Sequence, residues 1–525
     1  MLLCPEPGVP CVAASPTTAA CRARSAVDAL PVLRANAARR DRVAGWRLAV
    51  SRGAGTSNPP RIAGAAGPIT EGECQMIHLG HAGRSRSRAW RRAVSTFATC
   101  LAVGAIASAA GAGQTIRASV GNGGSQANGE STAHVFGGLN SSGTVIAFTS
   151  EADDLVAADT NDANDFFVRD LKSGATTRVS VASDGTQGDG LSGFGTISGN
   201  GRYVAFLSAA TNLVANDTNG VRDVFFHDRD TAQTSRVSVN SAGIQGNNES
   251  GGSGFLAVTP NGRSVVFSSG ADNLVAGDTN AAEDVFSHDV KKQVTQRISL
   301  AADGGEANNA SFYPAPSASG GRVAFVSLAS NLVPNDSNGF VDIFLRDVRK
   351  ATTIRVNVAS DGSEANGGSG SPAISVNGRM VAFVSKATNL VSDDTNGVVD
   401  AFVHDTKTGQ TTRISVASDG AQANGVSGTV AISGNGRFVI FQSAATNLVA
   451  ADTNAADDVF VHDLKTHQTV RVNVDGAGVQ STGSLGFDLA LSRNGRFAAF
   501  STDAAALVTN DTNGFADVFI HDLKP

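Results

Sequence analysis

The chain has 525 residues, among them 59 Gly and 26 Phe against only 2 Tyr and 2 Trp, and its acids are mostly Asp. Asp and Gly favour turns and caps where Glu favours helix, so this composition points to strands joined by turns. The first 112 residues hold 14 Arg, no Lys and 5 acids, and the remainder carries 27 basic and 42 acidic side chains, a net charge of −15. Such a surface repels phosphate backbones and anionic lipid, which excludes nucleic acid and a membrane face as partners and leaves cations or neutral ligands. All five cysteines (Cys4, Cys11, Cys21, Cys74, Cys100) fall in the same leader. The rest of the chain therefore has no disulfide, thiol nucleophile or Cys-ligated metal.

In chain order, residues 1–75 are rich in Ala, Arg, Pro and Gly without periodicity. They are expected to be disordered, an extension ahead of the true start. From Met76 come five Arg between Arg84 and Arg92, an apolar run from about Ala93, and the small-residue pattern Ala110-Gly111-Ala112. That order predicts a secretory signal peptide over 76–112. A membrane anchor is the competing reading, disfavoured because the run is rich in Ala, Gly, Ser and Thr and its cleavage-like end is followed at once by the repeat array. The mature protein is expected to start near Gly113, secreted or periplasmic, with no membrane insertion after cleavage.

From there the chain repeats. A Gly that opens each unit recurs at Gly143, Gly201, Gly262, Gly321, Gly378, Gly436 and Gly495, with spacings of 58, 61, 59, 57, 58 and 59. Such units are too long for leucine-rich or helical repeats and suit four-stranded blades with long loops. Within each unit four short runs of β-branched and aromatic residues, separated by turn chemistry, read as strands A to D. Strand B keeps a Phe from Phe148 to Phe500 and strand C one from Phe167 to Phe519, fourteen in all, which predicts packing between neighbouring blades. The last unit stops at strand C with VFIHDLKP, while QTIRASV (114–120) reads as strand D. Joining the two ends predicts an all-β, seven-bladed β-propeller over 113–525, closed by an N-terminal strand that removes two sheet edges.

The sequence NGRFVIF followed by DVFVHDLKT resembles the WD-repeat-like propeller repeats of TolB-type bacterial proteins, over about Gln114 to Pro525. It departs from TolB in lacking a separate α/β domain, and from eukaryotic WD repeats in having no Trp in the array. The resemblance implies the fold and leaves a role in the Tol envelope system unsupported.

Every B–C loop contains D[TS]NxxxD: Asp159/Asn161/Asp165, Asp217/Asn219/Asp223, Asp278/Asn280/Asp284, Asp336/Asn338/Asp342, Asp394/Asn396/Asp400, Asp452/Asn454/Asp458 and Asp511/Asn513/Asp517. Oxygen ligands at alternate turn positions are what Ca²⁺ needs, so these residues are candidate metal ligands. The other reading is that Asp and Asn make Asx turns which pin the loop, and presence in all seven units suits a structural device. The [HR]D pair ending strand C (Arg169, His227, His288, Arg346, His404, His462 and His521, each followed by Asp) is read as turn capping, because Arg takes the His place and cannot ligate a metal. Strand D keeps Arg117, Arg178, Arg236, Arg297, Arg355, Arg413 and Arg471, either a charge guarding an outer edge or a salt bridge to a neighbouring blade.

Catalysis needs residues that break the sevenfold pattern. They are few: Tyr313 with Pro314 and Pro316, His134, and the D–A loop acids Glu130, Glu249, Glu306 and Glu364. No nucleophile–base pair and no HExxH is present, so no catalytic residue is assigned. The expectation is a monomeric, exported binding or scaffolding propeller, its protein or glycan ligand on the face of long loops, with Ca²⁺ as a candidate stabiliser. A carbohydrate-active hydrolase or lyase is the alternative.

Overall fold

A computed structural model describes residues 113–133, 138–252 and 255–524. The expected extension, the signal peptide and the candidate His134 lie outside the described residues. The described residues form seven four-stranded antiparallel sheets. Strands are lettered A to D outward, since the A strands of successive blades touch one another around the axis. In blade 1 they are A Ser131–Ala133, B Val145–Ser150, C Asp165–Asp170 and D Ala175–Arg178.

Closure follows the expected route. Blade 7 takes A Leu485–Leu491, B Phe497–Thr502 and C Asp517–Asp522 from the end of the chain and D Thr115–Arg117 from its beginning. The register pairs Thr115 with His521, Ile116 with Ile520 and Arg117 with Phe519. The ladder supplies main-chain partners to strand C of blade 7, which would otherwise be an open edge.

Strand B of blade 1, VIAFTS, is buried at all six positions because both faces of a blade are covered by neighbours. Phe148 pairs with Phe167 across strands B and C, ring centroids 5.8 Å apart. Both rings share a core with Ala490, Ala499, Val518 and Ile520 of blade 7. The Phe pairs thus pack between blades as expected, and also stack within their own blade. Each ring withdrawn from water contributes about 1.5–3 kcal/mol, so this one layer is a large part of the ring's cohesion.

The tight A–B turns place their Gly in the left-handed region, at Gly143, Gly201, Gly262, Gly320, Gly378, Gly436 and Gly495. The fourth unit therefore opens on Gly320 and not on Gly321, and its spacings even out around 58. Two adjacent glycines, SGGR, hid which one takes positive φ. A Cβ on Gly495 would collide with the ring of Phe438 from the preceding blade, so the turn needs Gly for contact as well as for conformation. Successive A–B turns are linked main chain to main chain, as in Ser141 N to Gly199 O (2.9 Å), Gly199 N to Pro260 O (2.9 Å) and Arg493 N to Ser141 O (3.2 Å). Pro260 has no N–H to pass the chain of bonds on to blade 4.

The long D–A connections act as straps. After strand D each passes onto the outer strand of the next blade, where a Thr hydroxyl donates to its carbonyl: Thr176 to Val120 O (2.6 Å), Thr469 to Val416 O (2.6 Å), and across the closure Thr115 to Val474 O (2.5 Å). The residue before the final Asp of strand C completes the contact. His227 Nδ1 lies 2.8 Å from Thr234 Oγ1, and Arg169 donates to Thr176 Oγ1 at 3.0 Å. The Thr hydrogen is spent on the strap, so its oxygen needs an N–H donor, which Arg and the Nδ1–H tautomer of His both offer. This explains the alternation of His and Arg. Burial lowers the pKa of His227, His288 and His404, in keeping with neutral rings. The following Asp caps the C–D turn as read from sequence: Asp170 Oδ1 accepts from the N–H of Lys172 (2.8 Å) and Ser173 (3.0 Å).

Candidate functional site

The DxNxxxD residues converge at the start of strand C, where loop and straps meet. In blade 1, Arg178 NH1 of strand D lies 3.0 Å from Asp159 and 3.1 Å from Asp165. Gln187, on the strap leaving the same blade, donates to both carboxylates at 2.7 and 2.9 Å. The second oxygen of Asp165 accepts from Ser180 Oγ at 2.6 Å. Asn161 Oδ1 accepts from Ala163 N in an Asx turn, and its amide donates to Gly188 O. The same Asx bond recurs at Asn219, Asn280, Asn338, Asn396, Asn454 and Asn513.

The strand D arginines therefore differ from the sequence expectation. They are nearly buried, and all but one pair with both the B–C loop and strand C of their own blade: Arg117 with Asp511 and Asp517, Arg236 with Asp217 and Asp223, Arg471 with Asp452 and Asp458. In blade 5 Arg413 reaches Asp394 at 3.7 Å while Asp400 is held by Ser415, Asn396 and Gln422. A guanidinium held between two carboxylates meets their charge with a cation supplied by the chain. Strand D runs antiparallel to strand C, so its last residue returns to the level at which strand C starts. That geometry selects the blade's own Asp over a neighbour's.

Blades 3 and 4 break the set. Where the other blades have Gln, they have Glu306 and Glu364, giving the three-carboxylate groups Asp278/Asp284/Glu306 and Asp336/Asp342/Glu364, each around one Arg. Burial, assisted by Asp284 and Glu306 against the pull of Arg297, pushes Asp278 up to about 6. Burial and Asp342 push Asp336 to about 6 in the same way. Burial would also raise Glu306, but bonds from Thr279 N (2.8 Å), Thr279 Oγ1 (2.7 Å) and Arg297 outweigh it and hold Glu306 at about 2. Glu306 and Glu364 are thus tied to separate blades by separate arginines. Glu249 pairs with Arg222.

A second region lies along the innermost strands, where the side chains differ between blades. Strand A bulges in blades 2, 4, 5, 6 and 7, with register shifts between Gly193/Thr196, Phe312/Ala315, Gly370/Ala373, Ser427/Val430 and Leu485/Leu489. Phe194, Tyr313 and Ser371 take φ of 50, 53 and 51°, a conformation rare for bulky side chains and concentrated at functional sites. Tyr313 meets Phe255 edge-on at 4.0 Å and Phe312 at 5.1 Å. In blade 7 the bulge carries Asp488, whose carboxyl burial and the charge of Glu130 push up to about 7 against a bond from Ser501. Sequence reasoning singled out Tyr313 and Glu130 and missed Asp488. The available signal was an acid in LGFDLAL, a strand A otherwise apolar and one residue longer than its counterparts.

The class this architecture defines is the seven-bladed, ring-closed β-propeller. No family model matches the chain, and no curated protein matches it in sequence. Among solved structures it is similar to an oligogalacturonate lyase in complex with manganese, at 13% identity over 79% of this chain and 94% of that one, TM-score 0.49. An oligogalacturonate lyase from Vibrio parahaemolyticus matches at 11% identity over 78% and 98%, TM-score 0.47. TolB-type propellers are among the neighbours, one being a putative TolB from Agrobacterium tumefaciens at 12% identity over 67% and 96%, TM-score 0.35. Likenesses of this degree carry no argument about function.

Proposed function

We propose that the chain is an exported binding or scaffolding propeller that presents its long-loop face to a protein or glycan. The supporting observation is where large apolar side chains meet solvent. Leu191, Ile244, Val426 and Val479 stand exposed in D–A connections, and Phe340 and Phe515 in B–C loops; Val294, Ile354 and Val470 lie on outer strands. Among the described residues none of these exposed large apolar side chains is in an A–B or C–D turn. Six of the nine lie in the D–A connections and B–C loops and none in a tight turn, and exposed apolar groups mark a contact surface. The test is capture of secreted proteins and glycans by the wild-type protein against Phe340→Asp/Phe515→Asp, with melting temperature as the control for folding. A partner set unchanged by the double substitution removes the long-loop face from the reading.

Calcium enters this proposal at blades 3 and 4, where three carboxylates face a single Arg and leave negative charge uncompensated. Millimolar Ca²⁺ is expected to raise the melting temperature of the wild type and not that of Glu306→Gln/Glu364→Gln. Equal melting with Ca²⁺ and with chelator takes the ion out of the proposal.

Asp488 favours the second reading, a carbohydrate-active hydrolase or lyase, because a carboxyl held near 7 beside the axis is suited to proton transfer. A screen of plant and bacterial polysaccharides for new reducing ends or unsaturated products decides it. Turnover abolished by Asp488→Asn would replace the binding reading, and no turnover leaves Asp488 without a catalytic role.

A further inference from the structure

The opposite end of the axis, on the tight-turn face, has a chemistry of its own. There each blade contributes the apolar residue that leads into its A–B turn, among them Leu139, Ile197, Val258, Ile374, Ile432 and Leu491, around a cavity of about 140 Å³. The wall beyond this apolar ring is the A–B turn backbone, whose polar groups are largely taken up in the bonds that join one turn to the next. One charged side chain lines the cavity, Arg493. The other six blades have an uncharged residue at that turn position, Gly199 and Gly434 among them.

Arg493 differs from the arginines near it. Arg202, Arg379, Arg437 and Arg496, which follow the turn glycines, all pair with the Asp that ends strand C. Arg493 is exposed, and among the described residues its guanidinium has no carboxylate or hydrogen-bond partner. An apolar cavity of roughly 150 Å³ is large enough for a benzene-sized group, about six carbons. A permanently charged, forked donor at its rim matches a carboxylate. No acid lines the cavity, so a cationic ligand would find no counter-charge there.

We propose that the turn-face end of the axis binds a small monocarboxylate, with the hydrocarbon part inside the apolar ring and the carboxylate paired to Arg493. The site lies on the face opposite the long loops and is independent of the partner proposed for them. A bound anion would add to the contacts among the A–B turns, because the turn that carries Arg493 bonds to blades 1 and 6 through Ser141 and Asn435.

The test uses the mature full-length chain with sodium hexanoate and 1-hexanol as probes, titrated by calorimetry and by ligand-observed NMR. Hexanoate is expected to saturate, and hexanol to bind about tenfold more weakly or worse. Arg493→Gln is expected to reduce hexanoate affinity about tenfold while leaving hexanol unchanged. Arg493→Lys, which retains the charge, is expected to keep most of the binding and guards against a folding defect in the Gln variant. Absence of saturation by hexanoate, equal affinity for the alcohol, or undiminished hexanoate binding by Arg493→Gln overturns the proposal.

Discussion

The outer half of each blade and its innermost strand obey different rules. Outside, the same contacts recur around the ring: Arg of strand D on the Asp pair, Thr on the strap, His or Arg on the Thr. Inside, strand A carries the same one-residue bulge in blades 2, 4, 5 and 6 and a longer one in blade 7, but the side chains there differ, Phe194, Tyr313, Ser371 and Asp488 among them. A contact repeated in every blade serves what every blade must do, which is to hold its neighbours. A residue used once has no such duty, and that is where recognition or chemistry can be placed.

The sharpest way to break the repeated half is to open the ring. Deleting Gln114–Val120 removes the ladder on Asp517–Asp522 and the Thr115 bond to the strap of blade 6, so the truncated protein is expected to aggregate or to melt far below the chain that begins at Gly113. Appending the same seven residues after Pro525 should restore it. Equal melting of the truncated chain would show that the closure contributes nothing to the ring.

Next in size is the loss of one cluster. Asp223 is fully buried and meets Arg236, Ser238 and Gln245. Asp223→Ala leaves Arg236 with Asp217 alone and takes the acceptor from Ser238 in a dry site, and is expected to lower stability by about 3–5 kcal/mol in denaturant titration. Glu249→Ala, which breaks a half-exposed pair with Arg222, is expected to change it by about 1 kcal/mol or less. Similar losses for the two would erase the distinction between repeated and unique contacts.

The exception in blades 3 and 4 has a pH signature. The raised pKa of Asp278 means that stability falls as pH rises from 3.8 to about 6, and the lowered pKa of Glu306 means that stability grows as pH rises from about 2 to 4.5. Together they place the optimum of blade 3 between 3.8 and 4.5, and blade 4 behaves alike through Asp336 and Glu364. Glu306→Gln/Glu364→Gln restores the donor found in the other blades and removes both lowered carboxyls, so its melting temperature should lose the rise between about pH 2 and 4.5. An unchanged pH profile would mean that the three carboxylates do not share their charge.

The smallest effect concerns the Thr contact. His227→Ala removes the donor to Thr234 and is expected to cost about 1 kcal/mol. His227→Arg, the residue used in blades 1 and 4, should be close to neutral by the same denaturant midpoint. A larger loss for Arg than for Ala would mean that the position selects for ring shape and not for an N–H donor.

Much of this was legible in the residues. The period, the four strands per unit, the Phe layer and the completing strand at Gln114–Val120 are all local patterns, and the structure reproduces them. The slip from Gly320 to Gly321 came from a doubled glycine, where composition cannot say which residue takes positive φ. The partner of Arg178 was misplaced because a strand-end cation can reach either its own blade or the next, and only register separates the two. Asp488 went unseen because one acid in one strand has no repeat to draw attention to it.

The sequence alone determined the number of blades, the order of strands and the manner of closure. Hydrophobic periodicity and turn chemistry act between residues close in the chain, and sevenfold repetition makes them unambiguous. Tertiary structure alone decided which carboxylates meet which arginine, why His and Arg are interchangeable, and where strand A bulges. Those outcomes depend on atoms a few ångströms apart that stand twenty to four hundred residues apart in sequence, as with Arg178 and Asp159 in one blade or Thr115 and His521 across the closure. Distances of that kind are set by packing and register, which no local pattern encodes.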